Sequence, residues 1–131
     1  LGTYVLSAGY FDAYYKKAQN LRGTIVKEFE NAFKNVDVIL APTVPITAFG
    51  LGKALNDQIE TYQTDIFTVP VNIAGLPAVT VPCGFNDKGM PIGMQLIGNK
   101  FSESTILNVA WQYENATHND VFKSAEMGVK L

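Results

Sequence analysis

The sequence holds one cysteine and one histidine among its 131 residues, and these scarcities close off several chemistries at once. With Cys83 alone, no intramolecular disulfide can form, which fits a reducing compartment. With His118 as the sole histidine, no zinc site of the usual Cys and His ligands can be assembled. A Ser-His-Asp triad would have to use His118, at the frayed end of an expected helix, and a surface histidine is the better reading. Charge of one sign is lacking too. The formal net charge is −2, with no block of like charges, so nothing suggests a nucleic-acid surface. No apolar run approaches the ~18 residues of a membrane-spanning helix. The start carries no secretory-signal pattern. A phosphate-cradling loop is missing, because Gly89, Gly93 and Gly98 do not open a helix at the required spacing.

What is present fits one α/β unit with a sizeable core. Ser7 to Lys34 reads as one long helix, with Tyr10, Tyr14, Ala18, Leu21, Ile25, Phe29 and Ala32 on one face. Gly23 interrupts that pattern, as a close approach to another element or a weak point. Asp37 to Ala41 is short and almost wholly apolar, and reads as a buried strand of the parallel type. Pro42 and Pro45 end it, and Thr43 to Gln63 forms a long connection of the kind that is often functional. Thr64 or Asp65 is expected to cap a short helix from Ile66 to Ala74, with Pro70 tolerable near its first turn and Gly75 as its stop. Ala78 to Pro82 and Ile92 to Ile97 read as strands joined by the turn signal Asn86-Asp87-Lys88-Gly89. Ser102 is placed to cap a last helix through about Ala116, and the polar tail from His118 (118–131) is expected to be poorly ordered.

Four sets of side chains could carry chemistry. Asp65 precedes an apolar helix, so it either caps that helix or offers a carboxylate at a pocket rim to a substrate ammonium, and two oxygens allow both. Thr43 and Thr47 lie just beyond a strand C-terminus, where open α/β sheets bind ligands, although turn roles serve equally well. Cys83 has no local cation to activate it and reads as a small core residue. The aromatics Tyr10, Phe11, Tyr14, Phe29 and Phe33 read as core. Lys16, Lys17, Arg22 and Lys27 are too offset by Glu28 and Glu30 to make a stacking platform for nucleic acid.

The segments LGTYVLSAGYFDAYYKKAQNLR, VDVILAPTVP, TDIFTVPVNIAGLPAVTVPCGF and PIGMQLIG, in order and without a gap, resemble the C-terminal third of the amidase-signature family. The likeness covers Leu1 to about Thr117. SAGYFDAYYKKAQ and DIFTVPVN resemble more narrowly the branch that hydrolyses glutamine to feed ammonia to tRNA-dependent amidation. The resemblance implies an α/β fold in which strands of a mixed sheet pack with helices, residues 1–131 forming one incomplete domain. It implies a parent enzyme with a nucleophilic serine activated by a second serine and a lysine, and backbone amides holding the oxyanion. That triad is expected upstream of Leu1, so no catalytic residue falls in this chain, which alone is expected to be inactive. The chain's start at Leu1 rather than a methionine agrees with a cut from a longer polypeptide. Of the substrate ligands, the acid that holds the glutamine amino group matches Asp65. The arginine for its carboxylate is expected just before Leu1.

The same resemblance implies no cofactor on this chain, with ATP and magnesium used by a partner protein of the complex. It implies two partner subunits, tRNA as an indirect partner, no membrane and a cytoplasmic location. Two other readings stay open: a fragment of another amidase-signature enzyme acting on simple amides, and a non-catalytic interaction module that kept the fold.

Overall fold

The stretch from Met94 to Gly98 is buried without a break, because its strand is the middle one of three. The computed structural model describes residues 16–49 and 64–128, with the side chains of 17–49 and 64–117. Within these, β1 (Val38–Pro42), β2 (Ala78–Phe85) and β3 (Pro91–Gly98) form a sheet of order β1-β3-β2. Every pairing is antiparallel: Leu40 stands opposite Leu96 across one ladder, and Val79 opposite Leu96 across the other. The parallel reading of the first strand is therefore corrected. An apolar run does not fix a strand's direction, and the expected burial is corrected too: β1 is an edge strand with no fully buried residue, and its Leu40 is exposed. Proline sits where a ladder tolerates it, Pro42 at the end of one edge strand and Pro82 within the other.

The expected hairpin is found, with strands longer than expected. Asn86 closes it: its backbone N–H donates to Met90 O, and its Oδ1 accepts from the N–H of Lys88 and Met90, all at 2.9 Å. Gly89 completes the turn at φ 73°, a conformation that favours glycine. A bulge between Pro82 and Gly84 makes Cys83 the extra residue.

One face of the sheet carries α3 (Glu103–Gly128). Val81, Met94, Leu96 and Ala110 form the buried cluster there, with Val38, Val79, Cys83 and Tyr113 packed against it. This helix runs past the expected end near Ala116. No proline or glycine interrupts the sequence from Glu103 to Met127, so polarity alone was a poor stop signal. Ser102 precedes the helix as expected, but its hydroxyl donates back to Asn99 O at 2.7 Å. Gly98 lets the helix start close to the strand. A Cβ there would overlap the Ser102 hydroxyl and lie 2.7 Å from Ile106 Cγ2.

Gln95 and Ile97 point to the opposite face. On that side lies the turn before the short α2 (Val69–Ala74), reached by Gln95 through Phe67 O, and α2 packs on α1 (Lys16–Ala32). Pro70 occupies the first turn of α2 as expected, and Gly75 ends it in the left-handed region at φ 69°. The N–H of Gly75 and Leu76 then reach back to Asn72 O (3.1 Å) and Val71 O (3.2 Å), the Schellman pattern. Arg22 Nε donates to Ile73 O at 2.9 Å, so α1 satisfies another carbonyl of that last turn. An exposed ion pair, Lys100 to Glu30 at 3.4 Å, joins α1 to the loop before α3.

The expected apolar face of α1 is only partly covered. Ile25 and Phe29 are half-buried, while Ala18, Leu21 and Ala32 are exposed. Tyr10, Phe11 and Tyr14, and residues 50–63 of the connection, lie outside the described residues. Among the described residues nothing lies within 4 Å of a Cβ at Gly23, so no described element makes the close approach and the helix weak point is the reading they favour.

The two glycines predict opposite outcomes. Gly98→Ala forces α3 off β3 and is expected to lower the unfolding free energy by about 1–3 kcal/mol. Gly23→Ala is expected to raise it by about 1 kcal/mol. Urea unfolding of both variants checks the pair.

Candidate functional site

A primary amide cannot be buried without partners for its hydrogens. Gln95, in the middle of β3, is 3 % exposed. Its Nε2 donates to Phe67 O at 2.9 Å and to Pro42 O at 3.2 Å. Phe67 lies two residues after Asp65, and Pro42 immediately precedes Thr43. One side chain thus draws together the two segments that carry the sequence-derived candidates.

Asp65 is exposed, on the turn that leads into α2. Its backbone carbonyl accepts from the N–H of Thr68 (3.1 Å) and Val69 (3.0 Å), and from Thr68 Oγ1 (3.3 Å). The expected side-chain cap by Thr64 or Asp65 is therefore not what begins this helix. Thr68 is its N-cap and makes no side-chain cap bond, because residues 65–68 turn tightly before α2 starts at Val69. Among the described residues, no group donates to the Asp65 carboxylate. The side-chain capping alternative is removed, and among the described residues both oxygens are open to solvent or a ligand.

Thr43 continues β1 beyond Pro42. Its N–H donates to Gly93 O at 3.1 Å. Its hydroxyl faces Thr80 Oγ1 at 3.4 Å, a long and weak bond. Between the two threonines lies Gly93, where a Cβ would come within 3.1 Å of Thr43 Oγ1 and 3.2 Å of Thr80 Cγ2. The register sets Thr80 opposite Gln95, so Thr43, Thr80, Gly93 and Gln95 share one face. That face is polar at its β1 end, and it is the face from which Gln95 reaches the Asp65 turn.

The other candidates separate from this site. Thr47 Oγ1 accepts from Asn86 Nδ2 at 3.2 Å, so it braces the hairpin turn. Cys83 Sγ donates to Ile92 O at 3.5 Å and packs against the core cluster, in line with a structural role. The His118 side chain lies outside the described residues. Sequence reasoning missed Gln95. The signal was available: it is the one polar side chain in the run Met94-Gln95-Leu96-Ile97.

A groove of about 440 Å³ runs between α1 and α2, lined by Ala18, Leu21, Arg22, Ile25 and Ile73 among others. It involves neither Asp65 nor Thr43. Among the described residues, no group of three or more His, Cys, Asp or Glu side chains could hold a metal ion. None of the described helices is long and apolar enough to cross a membrane.

The model of the amidase family matches residues 1–107. The chain belongs to the amidase family. It is 60 % identical over 114 residues to the A-subunit of glutamyl-tRNA(Gln) amidotransferase from Prochlorococcus marinus strain MIT 9215, covering 87 % of this chain and 24 % of that protein. It superposes on the crystal structure of the glutamyl-tRNA(Gln) amidotransferase A-subunit from Thermotoga maritima with a TM-score of 0.70 at 44 % identity, covering 80 % of this chain and 23 % of that one. The 6-aminohexanoate cyclic dimer hydrolase is a further relative, with a TM-score of 0.63 at 27 % identity over 84 % of this chain and 25 % of its own. The chain thus spans about a quarter of the length of these amidase-family proteins. Gln95, Asp65 and Thr43 all fall within the matched residues.

The bracing role of Thr47 is open to test. Thr47→Val removes one acceptor and is expected to cost about 1 kcal/mol of stability. Asn86→Ala is expected to cost more, because it also leaves two turn N–H groups without their acceptor. Chemical denaturation of the two variants gives the order.

Proposed function

We propose that this chain is the C-terminal part of the glutaminase subunit of a tRNA-dependent amidotransferase, and that Asp65 binds the α-ammonium of glutamine. The observation that carries the site is the state of Asp65. Its backbone, not its side chain, begins α2, so the carboxylate is left for a ligand. The kinship with the A-subunit of glutamyl-tRNA(Gln) amidotransferase supports the choice of substrate.

In this reading the catalytic serine, its serine partner and the lysine lie in the part of the parent upstream of this chain. The serine Oγ attacks the side-chain amide carbon of glutamine, the C–N bond breaks, and ammonia leaves as the lysine and second serine relay the proton. Water then cleaves the acyl-enzyme to give glutamate. The ammonia passes to a partner protein, which uses ATP and magnesium to amidate Glu on tRNA(Gln). The complex has two partner subunits and works in the cytoplasm, with tRNA reaching this chain only indirectly. Thr43, at the β1 end of the same face, is a secondary contact to the substrate. Asp65 contributes positioning through a charge-assisted hydrogen bond that is the same in ground state and transition state.

A second reading, an amidase acting on simple amides, draws on the likeness to the 6-aminohexanoate cyclic dimer hydrolase. Ammonia release from glutamine by the full-length protein purified with its partners separates the two. The glutaminase reading expects activity with glutamine, and none from this chain alone. Asp65→Asn is expected to raise KM for glutamine about 10- to 100-fold with kcat little changed, as loss of a charged hydrogen bond implies. A full-length protein that spares glutamine but cleaves simple amides would replace this reading with the second.

A further inference from the structure

We infer that Gln95 is a positioning residue for substrate binding, holding the Asp65 turn and the Thr43 strand end at a fixed separation. The inference rests on the reading of Asp65 as the ammonium ligand. The geometry of one planar amide makes the case. Its two N–H bonds diverge at a fixed angle, and both are used. One meets Phe67 O and the other Pro42 O, carbonyls that are 28 and 53 residues away in sequence. Each acceptor is within two residues of a candidate ligand.

Neither acceptor is an arbitrary choice of carbonyl. The bonds made by Asp65, Thr68 and Val69 described above stay within the turn and its helix, so Phe67 O on Gln95 ties that turn to the middle of the sheet. Pro42 has no N–H of its own, and its carbonyl takes the second hydrogen just where β1 gives way to Thr43. Gln95 sits on the most buried strand and is 3 % exposed. A small displacement of a binding group from its working position costs affinity out of proportion to its size. A side chain that sets that position then acts on substrate binding without touching substrate.

The test uses the full-length protein with its partners and four variants: Gln95→Met, Gln95→Asn, Asp65→Asn and the double Asp65→Asn/Gln95→Met. Methionine keeps the approximate volume and removes both donors. Gln95→Met is expected to raise KM for glutamine about tenfold or more with kcat within about threefold. The double variant is expected to be no worse than Asp65→Asn alone, since the effect of Gln95 runs through Asp65. A Gln95→Met effect on kcat with KM unchanged, or one that multiplies fully with that of Asp65→Asn, overturns the inference and leaves the role of Asp65 standing. If Asp65→Asn itself leaves KM unchanged, the ligand reading fails and takes this one with it. Should Gln95→Met not fold, Gln95→Asn, which keeps the amide but shortens its reach, carries the same expectation. Failure of both to fold makes Gln95 a purely structural residue and overturns the inference.

Discussion

A buried primary amide constrains a fold more tightly than an apolar side chain of the same size. It loses much if either hydrogen goes without an acceptor, and its acceptors must arrive from set directions. Gln95 meets that demand with one carbonyl from the end of β1 and one from the turn before α2. The other links around it are local by comparison. The hairpin closes on Asn86, α2 stops on Gly75, and α3 begins against Gly98. Each of these would survive a change in the distance between Thr43 and the Asp65 turn. The two bonds of Gln95 would not.

The sheet separates two tasks by face. Met94 and Leu96 turn toward α3 and build the core, while Gln95 and Gly93, one residue out of phase, turn the other way. Strand alternation therefore gives the same eight residues a stability role on one face and, on the proposed reading, a ligand-positioning role on the other. The small side of that arrangement is Gly93, which leaves room for Thr43 and Thr80 to approach across it. The large side is the α3 face, where Val81, Met94 and Leu96 are nearly inaccessible.

Much of this was legible in the sequence, and the failures have physical causes. The Asn-Asp-Lys-Gly turn, the Gly75 stop and the early Pro70 are local signals set by backbone sterics, and they were read correctly. The direction of β1 was misread because an apolar run is blind to which strand it pairs with. The cap of α2 was misread because Asp65 is a good cap by type, while the chain makes a further turn before the helix begins. The end of α3 was set too early because polar composition was weighed above the lack of any breaker. Of the candidate site, Asp65 and Thr43 were proposed from residue type, position and the family resemblance. What joins them was not, since no local pattern says that a glutamine in a strand will donate to carbonyls 28 and 53 residues away. A contact of that kind belongs to tertiary structure.

Asp65 also says something about the rest of the binding site. A carboxylate that stays in water gains little from an ammonium, because solvent and salt screen the pair and both ions give up hydration to meet. Its described neighbours leave Asp65 exposed. For the proposed clamp to hold glutamine well, something must cover the pair and raise the worth of the charge-assisted bond. The amidase-family relatives run to about four times the span matched here, and it is that remainder which the proposal requires to form the wall. The division of labour then has a physical sense. On the proposed reading, this chain would supply a rigidly placed anion, and the remainder of the parent would supply the dry environment in which an anion is worth having, together with the nucleophile that needs the substrate held still.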